Sequence, residues 1–291
     1  MSTFTPVPRW KNYLTLCKPN VVAEMLFTAI VGMLLALPTL PPIDLMFYGL
    51  VGIGFASASA AAINHFIDRH ADGKMRRTEN RPLPQGTLSS ANVLIFATIL
   101  GVSAMILLIT KVNMITAILT FLSLFGYAFI YTCYLKRATP QNIVIGGLFG
   151  STPPLLGWCA MTGEVHPYAL LLALIIFVWT PPHFWALALY RREDYEKSGL
   201  PMLPVTHGEK FTLLHIVLYT LILLAATLLP YIYRMSGVLY LVSALILGAM
   251  FMAYAVALYR KYSDELAKKT FRFSIIYLSL LFAALLIDHY V

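Results

Sequence analysis

The stretch VVAEMLFTAIVGMLLALPTLPPI, Val21–Ile43, carries a single charged side chain, Glu24. About twenty predominantly apolar residues are enough for a helix to cross the hydrocarbon core of a bilayer, so this run reads as a membrane-spanning helix. Outward from it, successive apolar runs predict nine helices, at 20–38, 44–66, 91–110, 113–133, 142–161, 167–189, 211–230, 237–259 and 272–290. The expected fold class is an all-α, polytopic nine-helix bundle forming one domain over residues 1–291. Composition agrees: the chain is 59% hydrophobic and 12% charged, with a mean hydropathy of +0.75. Soluble chains carry about a quarter charged residues, which excludes an ordinary soluble globule. The three cysteines, Cys17, Cys133 and Cys159, lie near or inside apolar runs and suggest packing, neither a disulfide framework nor a paired-cysteine metal motif.

A net charge of +8 would point to nucleic acid in a soluble protein. Here nineteen of the twenty-one Lys and Arg fall on the N-terminal side of the predicted bundle, and only Lys111 and Arg234 on the other. The positive-inside rule reads this as N-terminus cytoplasmic and, with nine helices, C-terminus exterior. The basic charge is thus topological, and no nucleic-acid partner is expected. The first apolar run is too long for a signal peptide and no Arg-rich transit segment precedes it, which favours a bacterial inner membrane.

The two longest cytoplasmic connections are where chemistry is expected. The first reads NHFIDRHADGKMRRTENRPLP, Asn64–Pro84. If the second helix continues beyond the membrane, Asn64, Asp68 and Asp72 recur every four residues and share one face. Such an oxygen stripe suits Mg²⁺, which is usually held by one or two carboxylates together with substrate phosphates and water. Eight residues of helix span about 12 Å, so the three cannot all ligate one ion directly, and bridging through diphosphate is implied. Lys74, Arg76, Arg77 and Arg81 follow as partners for the same phosphates. The alternative is a solvated loop whose carboxylates pair with nearby arginines.

The pattern NxxxDxxxD followed by NRPLP resembles the first aspartate-rich motif of the UbiA-type intramembrane prenyltransferases. The second connection carries WTPPHFW (Trp179–Trp185) and GLPMLP (Gly199–Pro204) in place of a second DxxxD, and LKRATPQNIVIGG (Leu135–Gly147) precedes it. These segments, with LCKP at Leu16–Pro19, resemble the branch of that superfamily that farnesylates protohaem, the haem O synthases. Asn20 departs from the branch, which usually has Arg there. The resemblance implies farnesyl diphosphate as donor, haem B as acceptor, water addition, and haem O with diphosphate as products.

By the same resemblance, Asn64, Asp68, Asp72 and Asp194 would be catalytic, the first three as metal ligands. Arg69, Lys74, Arg77, Asn80, Arg81 and Arg191 would bind diphosphate. His183, Trp179, Tyr190, Lys136, Arg137 and Asn142 would bind the haem acceptor. Mg²⁺ would be the cofactor, membrane lipid the surroundings, and haem A synthase or terminal-oxidase assembly the protein partners.

His183 is open between haem-iron ligation and a hydrogen bond to a carbonyl freed by Pro181 and Pro182, which should kink the sixth helix. Glu24 faces either a cavity or the interface. Other readings remain: prenyl transfer to an aromatic quinone precursor, transport of haem or an anionic lipid, and a haem-binding assembly factor. The absent second DxxxD argues against the first.

Overall fold

A computed structural model describes residues 8–291. Among these residues eight helices are long and apolar enough to cross a membrane. A ninth span forms only when α1 (Arg9–Leu16) and α2 (Pro19–Leu35), bent by 47° at a two-residue break, are taken together. The chain is a multi-pass membrane protein.

The remaining long elements are α3 (Ile43–Asp72), α4 (Ser90–Lys111), α5 (Met114–Phe125), α7 (Asn142–Gly150), α8 (Pro153–Thr162), α9 (Pro167–Tyr190), α12 (Gly208–Ile232), α13 (Val238–Arg260) and α14 (Asp264–Tyr290). Three short elements lie between them: α6 (Lys136–Ala138), α10 (Arg192–Ser198) and α11 (Leu203–Thr206). Local chemistry sets several starts. Ser89, Asn113 and Ser263 each accept a backbone N–H at the head of α4, α5 and α14, meeting one of the donors that a helix N-terminus leaves unpaired.

Four differences from the expected elements have local causes. The second helix runs on to Asp72, as the Asn-Asp-Asp stripe requires. The fourth passes into a π-helix, Gly126–Leu135, before the final turn α6. The fifth breaks at Ser151–Thr152, just before the proline pair that opens α8, because Pro153 and Pro154 have no N–H to donate back to the preceding turn. Pro181 and Pro182, by contrast, do not interrupt α9.

Side-chain distribution shows what surrounds the bundle. On α4, Ile95, Ile99, Val102 and Ile106 are exposed while Val93, Ala97, Ala104 and Leu108 are buried. An exposed aliphatic stripe of this size is unusual on a soluble monomer and fits a face turned to lipid. Inside, helices approach through small residues, as membrane packing favours. A Cβ on Gly32 of α2 would overlap the Pro154 carbonyl of α8, and one on Gly157 would overlap that of Ala29. Neighbouring helices pack in sequence from α2 to α14, and α14 returns against α2. There His289 Nε2 lies 3.0 Å from the Leu37 carbonyl, and the Asp288 carboxylate accepts from the Gly237 and Tyr240 amides at the head of α13. The last polar residues thus hold the ring closed.

Candidate active site

A cavity of about 400 Å³ lies within the ring. One stripe of α3 lines it: Ile53, Ala56, Ser57, Ala60, Asn64, Asp68 and Asp72. Nineteen residues of helix reach about 28 Å, so one face runs from deep in the bundle to the end of α3. Its alanines leave room and its last three members supply oxygens. The expected Asn-Asp-Asp face exists because α3 is one unbroken helix.

At that polar end, cations surround the carboxylates. Asp72 pairs with Arg81 at 2.7 Å, and Asp68 pairs with Lys136 and, at 3.5 Å, with Arg137. Asn64 donates to Asp68 at 2.8 Å and to Thr132 at 3.4 Å, while its carbonyl accepts from Lys18 at 2.6 Å. Lys18 occupies the break between α1 and α2 with φ of 49°, a backbone region that non-glycine residues rarely adopt. This conformation accompanies the turn of its ammonium toward α3. Four lining cations, Lys18, Arg77, Arg81 and Lys136, face two carboxylates here. An anion placed among them would relieve that crowding.

The rest of the cavity is apolar and aromatic. Tyr127 and Tyr131 of the π-helix sit 5.4 Å apart by ring centroids and both line it. The wider π turn lets Thr132 donate to the Tyr127 carbonyl at 2.8 Å while its hydroxyl remains near Asn64. Trp179 and His183 of α9 line the opposite wall with Leu278 of α14. Tyr195, Leu200 and Met202 of the second connection line it as well. Burial holds the Tyr195 phenol above its ordinary range, although Arg77 nearby acts against the shift.

A model of the UbiA prenyltransferase family matches residues 25–281. This chain belongs to that family. It is 62% identical over 282 residues to a protohaem IX farnesyltransferase of Methylococcus capsulatus, covering 97% of this chain and 95% of that one. A solved digeranylgeranylglyceryl phosphate synthase superposes with a TM-score of 0.80 at 22% identity, covering 97% and 99% of the two chains. A UbiA homologue from Archaeoglobus fulgidus, solved with DMAPP and Mg²⁺, gives 0.64 at 16% identity, covering 94% and 99%.

Within this UbiA-family cavity, Asn64, Asp68, Asp72, Arg77, Arg81, Lys136, Trp179 and His183 come together. The other expected residues do not line it. Arg69 lies one residue round from Asp68 and turns away, donating to the Phe66 carbonyl at 2.7 Å and covering the Phe66 ring. Adjacent helical positions do not face the same way. Lys74 and Asn80 are exposed. Arg137 reaches Asp68 from outside. Asn142, buried at the head of α7, donates to the Lys136 carbonyl at 3.4 Å and so braces that lysine.

Tyr190, Asp194 and Ser198 do not share a face, because α9 ends at Tyr190 and α10 restarts at Arg192. Tyr190 lies among Arg191, Lys268 and Phe271. Buried Asp194 pairs with Arg191 at 3.6 Å, and Ser198 bonds back to the Tyr195 carbonyl. Asn20 is exposed and outside the lining, so its departure from the branch pattern leaves this cavity untouched. Glu24, also exposed, borders both this cavity and a second one between α2, α9 and α14.

Lys18, Thr132, Tyr127, Tyr131 and Tyr195 went unremarked as site residues in the sequence. For Lys18 a signal existed, a cation next to Pro at the head of the first apolar run. Tyr127 and Tyr131 carried none, since a π-helix displaces the 3.6-residue period by which faces are assigned.

Proposed function

We propose that this protein is a farnesyltransferase of protohaem IX in a bacterial inner membrane, with its charged cavity end and N-terminus cytoplasmic. It joins the farnesyl group of farnesyl diphosphate to a vinyl group of haem B, with addition of water, and releases haem O and diphosphate. The observation that carries this reading is one cavity with two unlike ends: a cation-crowded oxygen stripe for a diphosphate, and an aromatic wall with a histidine for a porphyrin. The 62% identical relative bears the name of this reaction, and the positive-inside bias supports the orientation.

Asp68 and Asp72, one turn apart, with the Asn64 carbonyl a turn further, form an all-oxygen donor set. Among the described residues no three His, Cys, Asp or Glu converge on one point. The set is open, of the kind that shares Mg²⁺ with phosphate oxygens. Magnesium, when bound, would draw off the negative charge that gathers on the departing diphosphate.

The protein's own groups do the remainder. Arg81 and Lys136, paired with Asp72 and Asp68, turn to phosphate and, with Lys18 and Arg77, stabilise the leaving group as the C–O bond breaks. The apolar wall keeps water from the allylic cation until the vinyl carbon captures it. Tyr127 and Tyr131 offer π faces along its path. The new cation, next to the porphyrin ring, takes water and loses a proton. Haem O so formed would supply haem-copper oxidase assembly, directly or through a haem A synthase.

The test is incubation of the purified protein in detergent with haem B, farnesyl diphosphate and Mg²⁺, followed by mass spectrometry of the pigment. A chelator-sensitive mass gain of farnesyl plus hydroxyl is expected. Unchanged pigment from folded, haem-binding protein would overturn the reading.

A further inference from the structure

His183 is held on three sides. Trp179 stacks on its ring with centroids 4.1 Å apart and planes inclined by 21°, and Phe271 stacks at 4.6 Å and 30°. Two rings stacked this closely cannot occupy the same face, so the imidazole is clamped between α9 and α14. Its Nδ1 lies 2.7 Å from the hydroxyl of Ser274, a fully buried residue of α14. Ser274 holds the clamp as well, since its backbone carbonyl accepts the Trp179 indole N–H at 2.8 Å.

The hydroxyl fixes the proton on the ring. Ser274 Oγ also lies 2.6 Å from the Phe271 carbonyl, which can only accept. A hydroxyl has one hydrogen. If that hydrogen goes to Phe271, Oγ offers His183 a lone pair, and both contacts are satisfied when Nδ1 carries the ring proton. In the reverse assignment two oxygen lone pairs would face each other at 2.6 Å. The arrangement therefore selects the Nδ1–H tautomer and leaves Nε2 unprotonated. Among the described residues Nε2 has no hydrogen-bond partner, and it is not among the fully enclosed polar atoms, on a residue that lines the cavity.

We infer that Ser274 is a positioning residue that locks His183 in the tautomer whose Nε2 lone pair can ligate the iron of the porphyrin substrate. This rests on the proposed haem acceptor. A ligand nitrogen is commonly oriented in this way by a partner on the other ring nitrogen. Ligation would set the porphyrin iron at a fixed distance from the diphosphate end.

The experiment titrates the purified full-length protein with haem B and records absorption and EPR spectra for wild type, His183→Ala, Ser274→Ala and Ser274→Thr. Farnesyl diphosphate binding with Mg²⁺ is measured in parallel. Wild type should show imidazole-ligated iron, and His183→Ala should lose it and regain it with added imidazole. Ser274→Ala keeps the backbone carbonyl that anchors Trp179, so it should bind haem about 10-fold more weakly, with part of the iron unligated and farnesyl diphosphate affinity unchanged. Ser274→Thr should restore the signature.

Wild-type spectrum and affinity in Ser274→Ala, with ligation lost in His183→Ala, would overturn the role of Ser274 and leave the acceptor reading standing. An unaltered spectrum in His183→Ala would overturn the ligation itself. Parallel loss of haem and farnesyl diphosphate binding in Ser274→Ala would mark it as a packing residue and overturn the proposal too.

Discussion

The two long polar connections differ in how they deliver their charges. After α3 the helix continues through Asp72, so Asn64, Asp68 and Asp72 keep their register and meet Lys18, Arg81 and Lys136. After α9 the helix stops, and α10 begins past a non-helical Arg191. The same four-residue spacing, Tyr190-Asp194-Ser198, therefore places no row of oxygens on the cavity. What the second connection contributes is its apolar and phenolic side chains, Tyr195, Leu200 and Met202, as cavity wall. Spacing has chemical meaning only along an element that stays regular over the whole spacing.

The contrast sets the order of expected effects. Asp68→Asn keeps the shape but removes the charge at the centre of the cation ring, and haem O formation should fall by about 10²- to 10³-fold, the scale of losing a group that stabilises transition-state charge. Single-turnover kinetics would show the loss in the bond-breaking step. Lys18→Met removes a half-buried donor; at about 1.5–3 kcal/mol for a charge-assisted hydrogen bond, kcat/KM for farnesyl diphosphate should drop by about 10- to 100-fold. The same kinetics with varied donor would check it.

Asp194→Asn keeps the shape of a buried side chain that does not line the cavity, and a loss of turnover below about fivefold is expected. If it instead matched Asp68→Asn, the second connection would share the phosphate chemistry and the contrast would fail. Tyr190→Phe should change steady-state turnover by less than about twofold, as for a side chain away from buried contacts, because its ring faces Lys268 and Phe271 outside the cavity.

Much of the molecule was legible without coordinates. Long apolar runs separated by cations report membrane spans because a bilayer accepts only helices or closed barrels. The Asn-Asp-Asp repeat reports a face because α3 is regular. Where regularity ends, the reading failed for a physical reason. Arg69, Lys74 and Asn80 stood close to the motif in sequence, but helix rotation and the turn after Gly73 carry them outward. His183 was found, while its partner Ser274, ninety-one positions away, bore no local mark.

The amino-acid order was thus enough for the spans, the charge bias and the metal-type stripe, all of which arise from periodicities within single helices. It also carried the likeness to the prenyltransferases. The closing of α14 on α2, the turn of Lys18 into the cavity, the exclusion of Asp194 and the Ser274–His183 tautomer lock came from packing alone. Each depends on contacts between elements far apart in the chain, whose distances no local pattern encodes.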